Sequence, residues 1–376
     1  MHNNTPSKED FELAQIFLDH SLRLKAGENV LISVSEHISN SLIQAVYLES
    51  IKRGANPLIE SITNFYINRA SYSGLNHSLL TQGSDKQAAH IPLDVIDSLA
   101  NWADAYVRIT SNFNKTEFAD VAQQRITKRM NQIRPIFDKI IDSDRWILTS
   151  YPTEDMAKHA GVSFDWLKEF FYQACIVDYK AMGVQLKKLE KLMDKGSIVK
   201  LVGKNTDLTI GIEGRLAKLC NGQRNIPDGE VFLAPNKNTL EGSIYFDMPT
   251  IYSGKEMQGI YLEFSKGKVI KAQADKGQKH LDDILATDAG SRFVGEFAFG
   301  ANYNITKALK DTLFDEKIGG TIHMALGRSY VEKRGGAPVN GNKSLIHWDI
   351  VKDMRLKGST AYIDDKVVLK DGKLLV

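Results

Sequence analysis

The stretch that most restricts the fold is a strand, helix, strand run near the start of the chain. Val30, Leu31, Ile32 and Val34 form a short apolar run after the turn residues Ala26 and Gly27. Ile43, Val46, Tyr47, Ser50 and Ile51 then recur at helical spacing on one face. Gly54 stands where that helix would end, and the chain resumes as a strand over 57–62. Two strands joined through a helix lie parallel, because a crossover returns the chain to the same end of the sheet. Further strands at 105–110 and 146–149 extend the parallel sheet, and a helix carrying Phe11, Ala14, Leu18 and Leu22 precedes it. No GxGxxG or GxxxxGK[ST] string follows any of these strands, so nucleotide binding by this half is unsupported.

Thr153 is placed to cap a short helix ending near Gly161, and Ser163 to cap a long helix predicted over 164–195, with Phe170, Ala174, Val177 and Ala181 on one face. Beyond Gly196 the pattern changes to short strands between glycine turns, at 198–202, 208–212, 231–234 and 243–247. A hairpin pairs 259–264 with 269–274 around Lys266, Gly267 and Lys268. Two shorter helices, near 279–286 and 306–313, interrupt the strands. At 376 residues two domains are the default. The expected fold is an α/β N-terminal domain with a largely parallel sheet, residues 1–183, followed by an α+β, β-rich metal-binding C-terminal domain, residues 184–376.

Charge and cysteine usage narrow the partners. Forty-eight Lys and Arg against 46 Asp and Glu leave no basic field for nucleic acid. Cys175 and Cys220 are too few for a disulfide framework, and the opening MHNNTPSKED lacks the apolar core of a signal peptide. No apolar run reaches membrane-spanning length. A reduced, cytoplasmic protein without nucleic-acid or membrane partners is the expectation.

The chemistry gathers in the second half. Ile322, Met324 and Leu326 alternate with His323 and Ala325, and Ile346, Trp348 and Ile350 alternate with His347 and Asp349. His323 alone reads as a hydrogen-bonded structural residue. His347 and Asp349, however, point the same way from one strand and offer a nitrogen and a carboxylate together. Glu296 lies in Gly-Glu-Phe-Ala-Phe-Gly, where Phe297 and Phe299 face one way and Glu296 shares the other face with Ala298 and Gly300. Glu230 opens a strand just after a Pro-Asp-Gly turn. Either glutamate alone reads as a solvated strand end. Together, Glu230, Glu296, His323, His347 and Asp349 exceed what one catalytic zinc takes from protein, so two divalent ions, Zn²⁺, Co²⁺ or Mn²⁺, are the expected count. Such a pair both activates water and polarises a carbonyl.

The strings NIPDGEVFLAP, EGSIYF, GEFAFGAN, DEKIGGTIHMALGRSY and IHWD resemble those of the thermophilic aminopeptidase family, the aminopeptidase T and aminopeptidase S group of dinuclear metallopeptidases. In the first half LKAGENVLI, IKRGANP and RW followed by YPT also resemble it, so nearly the whole chain is covered. The resemblance implies that Glu230, Glu296, His323, Tyr330, His347 and Asp349 are the metal ligands. Tyr330 enters only this way, either as a ligand or as a hydrogen-bond donor to the intermediate. The implied activity is a metallo-aminopeptidase acting on peptides with a free N-terminus. Its nucleophile would be a metal-bound hydroxide, with Glu296 as the bridging ligand, Tyr330 assisting, and a homodimer as the assembly. Glu316, in DEKIGG, either holds a ligand histidine or makes a surface salt bridge. The compact, glycine-rich loop 331–344 borders the substrate entrance or is simply solvated, and it bears on substrate preference rather than chemistry. Two rival functions remain beside this one: a dinuclear hydrolase of another amide or ester, and a metal-binding scaffold without turnover, since fold alone does not fix function.

Overall fold

The computed structural model describes residues 5–35, 40–61, 75–110, 120–332 and 336–376. Contacts divide the chain into two units, Met1–Val177 with Gly222–Pro227, and Asp178–Asn221 with Asp228–Val376.

The first unit is built on a parallel sheet in the order Asn56–Glu60, Asn29–Val34, Ala105–Thr110, Trp146–Ser150 and Asn225–Ile226. The predicted crossover is present as the helix Asn40–Lys52 between the strands Asn29–Val34 and Asn56–Glu60. Ile62, at the end of the predicted strand, lies outside the described residues. Leu42, Ile43, Ala45 and Val46 are buried, but Ile51, expected on the same face, is half exposed. The buried side of the helix instead includes Glu49, whose charge tolerates burial because Arg53 Nη1 lies 2.7 Å from its Oε2. At the start of the chain, Ser7 and Asp10 form a reciprocal capping box on the helix Lys8–Gln15. Among the described residues, no helix is long and apolar enough to cross a membrane.

The long helix expected over 164–195 is two helices, Phe164–Cys175 and Tyr179–Lys195. The apolar spacing runs on through the break, but Asp178 turns its side chain to accept from the Ala181 N–H at 2.9 Å and starts a new helix. The helix expected over 306–313 shrinks to Thr312–Asp315. Lys310 there takes φ +59°, which a right-handed helix cannot contain, and Asp311 caps the short turn that follows by accepting from the Leu313 N–H at 3.0 Å.

In the second unit a nine-stranded antiparallel sheet lies with a five-stranded one around a single apolar core. The smaller sheet runs His347–Asp353, Thr321–Gly327, Val294–Gly300, Glu230–Leu233 and Lys218–Cys220, all antiparallel. Phe297, Phe299, Ile322, Met324, Leu326, Trp348 and Ile350 belong to the core, together with Leu201, Leu208, Phe246 and Leu262 of the larger sheet. Each such fully buried side chain contributes about 1.5–3 kcal/mol relative to exposure. Because side chains alternate along a strand, this one-sided burial turns the remaining residues of the smaller sheet to its opposite face.

Candidate metal centre

That opposite face collects the polar residues singled out in the sequence. Glu296 pairs with Ala325, and Ala325 pairs on its other side with Asp349. His323 pairs with Ala298, while Glu230 pairs with Gly300 on one neighbour and Cys220 on the other. The small residues Ala298, Gly300 and Ala325 thus leave space between the functional groups. Two glycines set the aim of the glutamates. Gly295 makes a bulge immediately before Glu296, and a Cβ there would sit 2.4 Å from the Gly327 carbonyl oxygen. Gly229, before Glu230, holds φ +131°, a backbone state open in practice only to glycine.

Among the described residues, His, Cys, Asp and Glu side chains converge in three groups whose ligand atoms lie within 4.8 Å of one another: Glu296, His347 and Asp349; Glu316, His323 and Asp349; and Cys220, Asp228 and Glu230. Asp349 belongs to the first two. Glu296 also reaches the second, since its Oε1 is 3.6 Å from His323 Nε2, and Glu230 Oε2 approaches the same nitrogen at 3.4 Å. Five of the six predicted residues are therefore drawn together. Tyr330 differs: its hydroxyl donates to the Leu216 carbonyl at 3.3 Å, and its ring packs edge-on against Phe232.

The hydrogen-bonding deficit of this face is large. His323 is fully buried, yet neither of its ring nitrogens makes a hydrogen bond, and Glu230 Oε2 and Asp349 Oδ1 are also without one. Buried polar atoms are nearly always satisfied, so orphans on three neighbouring side chains call for further partners. Carboxylate oxygens and the unprotonated nitrogen of a neutral imidazole accept, and together they form a set that suits a divalent cation. The donor set fits divalent ions. His347 is prepared for the same role, because its Nδ1 donates to the Arg328 carbonyl at 2.7 Å and leaves Nε2 facing Asp349 Oδ2 at 3.6 Å.

Electrostatics agree with this. Burial works against a charged His323, but Glu296, Glu230, Glu316 and Asp349 outweigh it and raise its pKa to about 9. For His347, whose side chain is 41% exposed, partial desolvation is likewise outweighed, mainly by Asp349 and Glu296, again giving about 9. A field that favours an imidazolium so strongly favours any cation in its place. Burial, reinforced by the charge of Glu296, pushes the Tyr330 phenol up to about 12. Burial also holds the Glu316 carboxyl above its usual range.

Sequence reasoning missed three members of this neighbourhood. Asp228 and Cys220 stand beside Glu230, and Lys317 is buried with its ammonium 2.6 Å from both Glu230 Oε1 and Glu316 Oε1. Glu316 itself is not on the surface: it joins His323 and Asp349 directly. The adjacency of Asp228 to the Gly229 turn and of Lys317 to Glu316 is the only trace of this in the sequence.

A family model described as thermophilic metalloprotease (M29) matches residues 8–374. Aminopeptidase T of Thermus aquaticus is 36% identical over 169 residues, covering 39% of this chain and 40% of that protein. Aminopeptidase AmpS of Bacillus subtilis is 29% identical over 164 residues, again 39% of this chain and 40% of the relative. The matched stretch thus spans about two-fifths of the length of these curated relatives. Among solved structures, wild-type AmpT from Thermus thermophilus superposes with a TM-score of 0.79 at 20% identity, over 98% of this chain and 99% of that one. At that identity the likeness speaks for the fold, a parallel α/β sheet followed by antiparallel β-rich sheets, as expected.

Proposed function

We propose that this chain, which belongs to the thermophilic metalloprotease family (M29), is a metallo-aminopeptidase that removes N-terminal residues from peptides at a two-ion centre. Glu230, Glu296, His323, His347 and Asp349 would hold the ions. The observation that carries this reading is the set of buried lone pairs without hydrogen bonds on His323, Glu230 and Asp349, gathered on one sheet face. The names of the aligned relatives support the N-terminal specificity. Two divalent ions held there would lower the pKa of a water and polarise the scissile carbonyl.

The chain's own groups divide the remaining work. Glu296, close to His323 and grouped with His347, connects the two halves of the donor set and would be the carboxylate shared between the ions, with Asp349 the second group common to both halves. The Arg328 carbonyl fixes the His347 tautomer and ring angle, so Nε2 is held without a search over rotamers. Tyr330 would serve either as a ligand or as a hydrogen-bond donor to the oxyanion that develops on the substrate carbonyl, and in both roles its hydroxyl would have to leave the Leu216 carbonyl. The homodimer belongs to the same reading and is supported by the sequence resemblance, the cytoplasmic location by the scarcity of cysteine, and Zn²⁺, Co²⁺ or Mn²⁺ by the mixture of imidazole and carboxylate donors.

The direct test is release of free amino acid from a small panel of unblocked peptides, with added divalent ion and after chelation. Release that depends on the ion is expected, and no release under either condition leaves the scaffold reading. Elemental analysis after saturation and desalting should give two ions per chain, because five side-chain ligands are too many for one catalytic zinc. A plateau at one ion would remove the two-ion centre.

A further inference from the structure

Beside the donor set, the second unit holds an ammonium shut away from water. Lys317 is 1% exposed. Its Nζ lies 2.6 Å from Glu230 Oε1, 2.6 Å from Glu316 Oε1 and 4.0 Å from Asp228 Oδ1. A buried charge is unfavourable unless closely paired, so the fold keeps this one only because three carboxylates surround it. The backbone is fixed as well: the Lys317 N–H donates to the Phe314 carbonyl at 3.1 Å, and its carbonyl accepts from the Asn302 N–H at 2.9 Å. Asn302 Nδ2 in turn donates to the Asp228 carbonyl at 3.0 Å, which ties the lysine and the aspartate to one frame.

The surroundings of this ammonium resemble a metal ligand set. Cys220, Asp228 and Glu230 offer ligand atoms within 4.8 Å of one another, and Cys220 is directly opposite Glu230 on the neighbouring strand. One thiolate and two carboxylates form a mixture that zinc or cobalt would accept. The ammonium sits on Glu230 Oε1, while Oε2 of the same carboxylate makes no hydrogen bond and faces His323 Nε2 at 3.4 Å. Glu230 is therefore divided, one oxygen toward a cation supplied by the chain and the other toward the converging histidine and carboxylates.

We propose that Lys317 is a built-in cation that stands where a further metal ion would bind among Cys220, Asp228 and Glu230. It holds Glu230 to one free oxygen on the His323 side and keeps the Cys220 thiol out of the metal centre. This rests on the reading that Glu230 is a metal ligand. Without the ammonium, a thiolate-bound ion would compete for Glu230 and draw it away from His323. Lys317 is thus a positioning residue, which acts on the centre through Glu230.

Cobalt(II) titration tests this, because a thiolate ligand produces a near-ultraviolet charge-transfer band that nitrogen and oxygen ligands do not. The wild-type protein saturated with Co²⁺ should show no such band. Lys317→Ala, which removes the charge and opens room for an ion, should bind one more ion per chain than wild type and display the band. Lys317→Ala combined with Cys220→Ser should lose the band and the extra ion together. A thiolate band in the wild-type protein overturns the inference, and that measurement needs no variant to fold. So does a folded Lys317→Ala protein with the wild-type ion count and no band. Wild-type protein that binds no cobalt would overturn the metal-centre reading itself, whereas wild-type protein that binds cobalt with a thiolate band removes only the role given to Lys317.

Discussion

Glu296→Gln is expected to lower kcat by 10²-fold or more, about 2.7 kcal/mol in the barrier, while leaving the fold intact. The substitution keeps shape and volume, and the neighbouring Phe297 and Phe299, which anchor this strand in the core, are untouched. What changes is charge. A neutral amide in place of the carboxylate that lies 3.6 Å from His323 and groups with His347 and Asp349 weakens the link between the two halves of the donor set. The Gly295 bulge continues to aim the side chain into the same space, so a loss of activity would not reflect a displaced strand. Steady-state kinetics with measured ion content and a thermal unfolding scan would check it. Near wild-type turnover at full ion occupancy contradicts the role given to Glu296.

The face that carries Glu296 is legible in the sequence because period-two alternation assigns sides without knowledge of partners. Ile322 and Met324 must go to a core, so His323 and Ala325 go to the other side, and the same logic separates Trp348 and Ile350 from His347 and Asp349. Alternation does not reveal strand order, which depends on pairings between distant segments. Only the three-dimensional register brings Glu230 opposite Gly300, and Glu296 and Asp349 to either side of Ala325. Lys317 is invisible for a related reason. A lysine next to a glutamate reads as a solvated pair, and its burial is decided by Asp228 and Glu230 arriving from nearly ninety positions earlier in the chain. The break between the helices Phe164–Cys175 and Tyr179–Lys195 is hidden by apolar spacing that continues across it, although Asp178 is a capping residue in plain view. The strand Asn225–Ile226, which completes the parallel sheet of the first unit, is two residues long and has no period to detect.

Blocking the α-amine of the substrate is expected to cost orders of magnitude in kcat/KM. An unblocked dipeptide or amino-acid anilide should be cleaved, and its N-acetylated counterpart should not. On the two-ion reading, the lone pair of a neutral amine would ligate an ion and its N–H groups would donate to carboxylates, which would set the position of the first peptide carbonyl. Glu316 and Asp349 line one small cavity with Thr250, Lys310, Thr312, Asp315 and Val351, and on this reading they would be the carboxylates to accept those N–H groups. Acetylation delocalises the lone pair, removes a donor and adds bulk at the point that sets register. Misplacement by about 1 Å already costs on the order of 10²-fold. The measurement is kcat/KM for a matched free and acetylated pair at equal ion concentration. Comparable values would remove the aminopeptidase reading and leave a dinuclear hydrolase of other amides or esters, because such an enzyme needs the two ions and Glu296 but has no use for the amine.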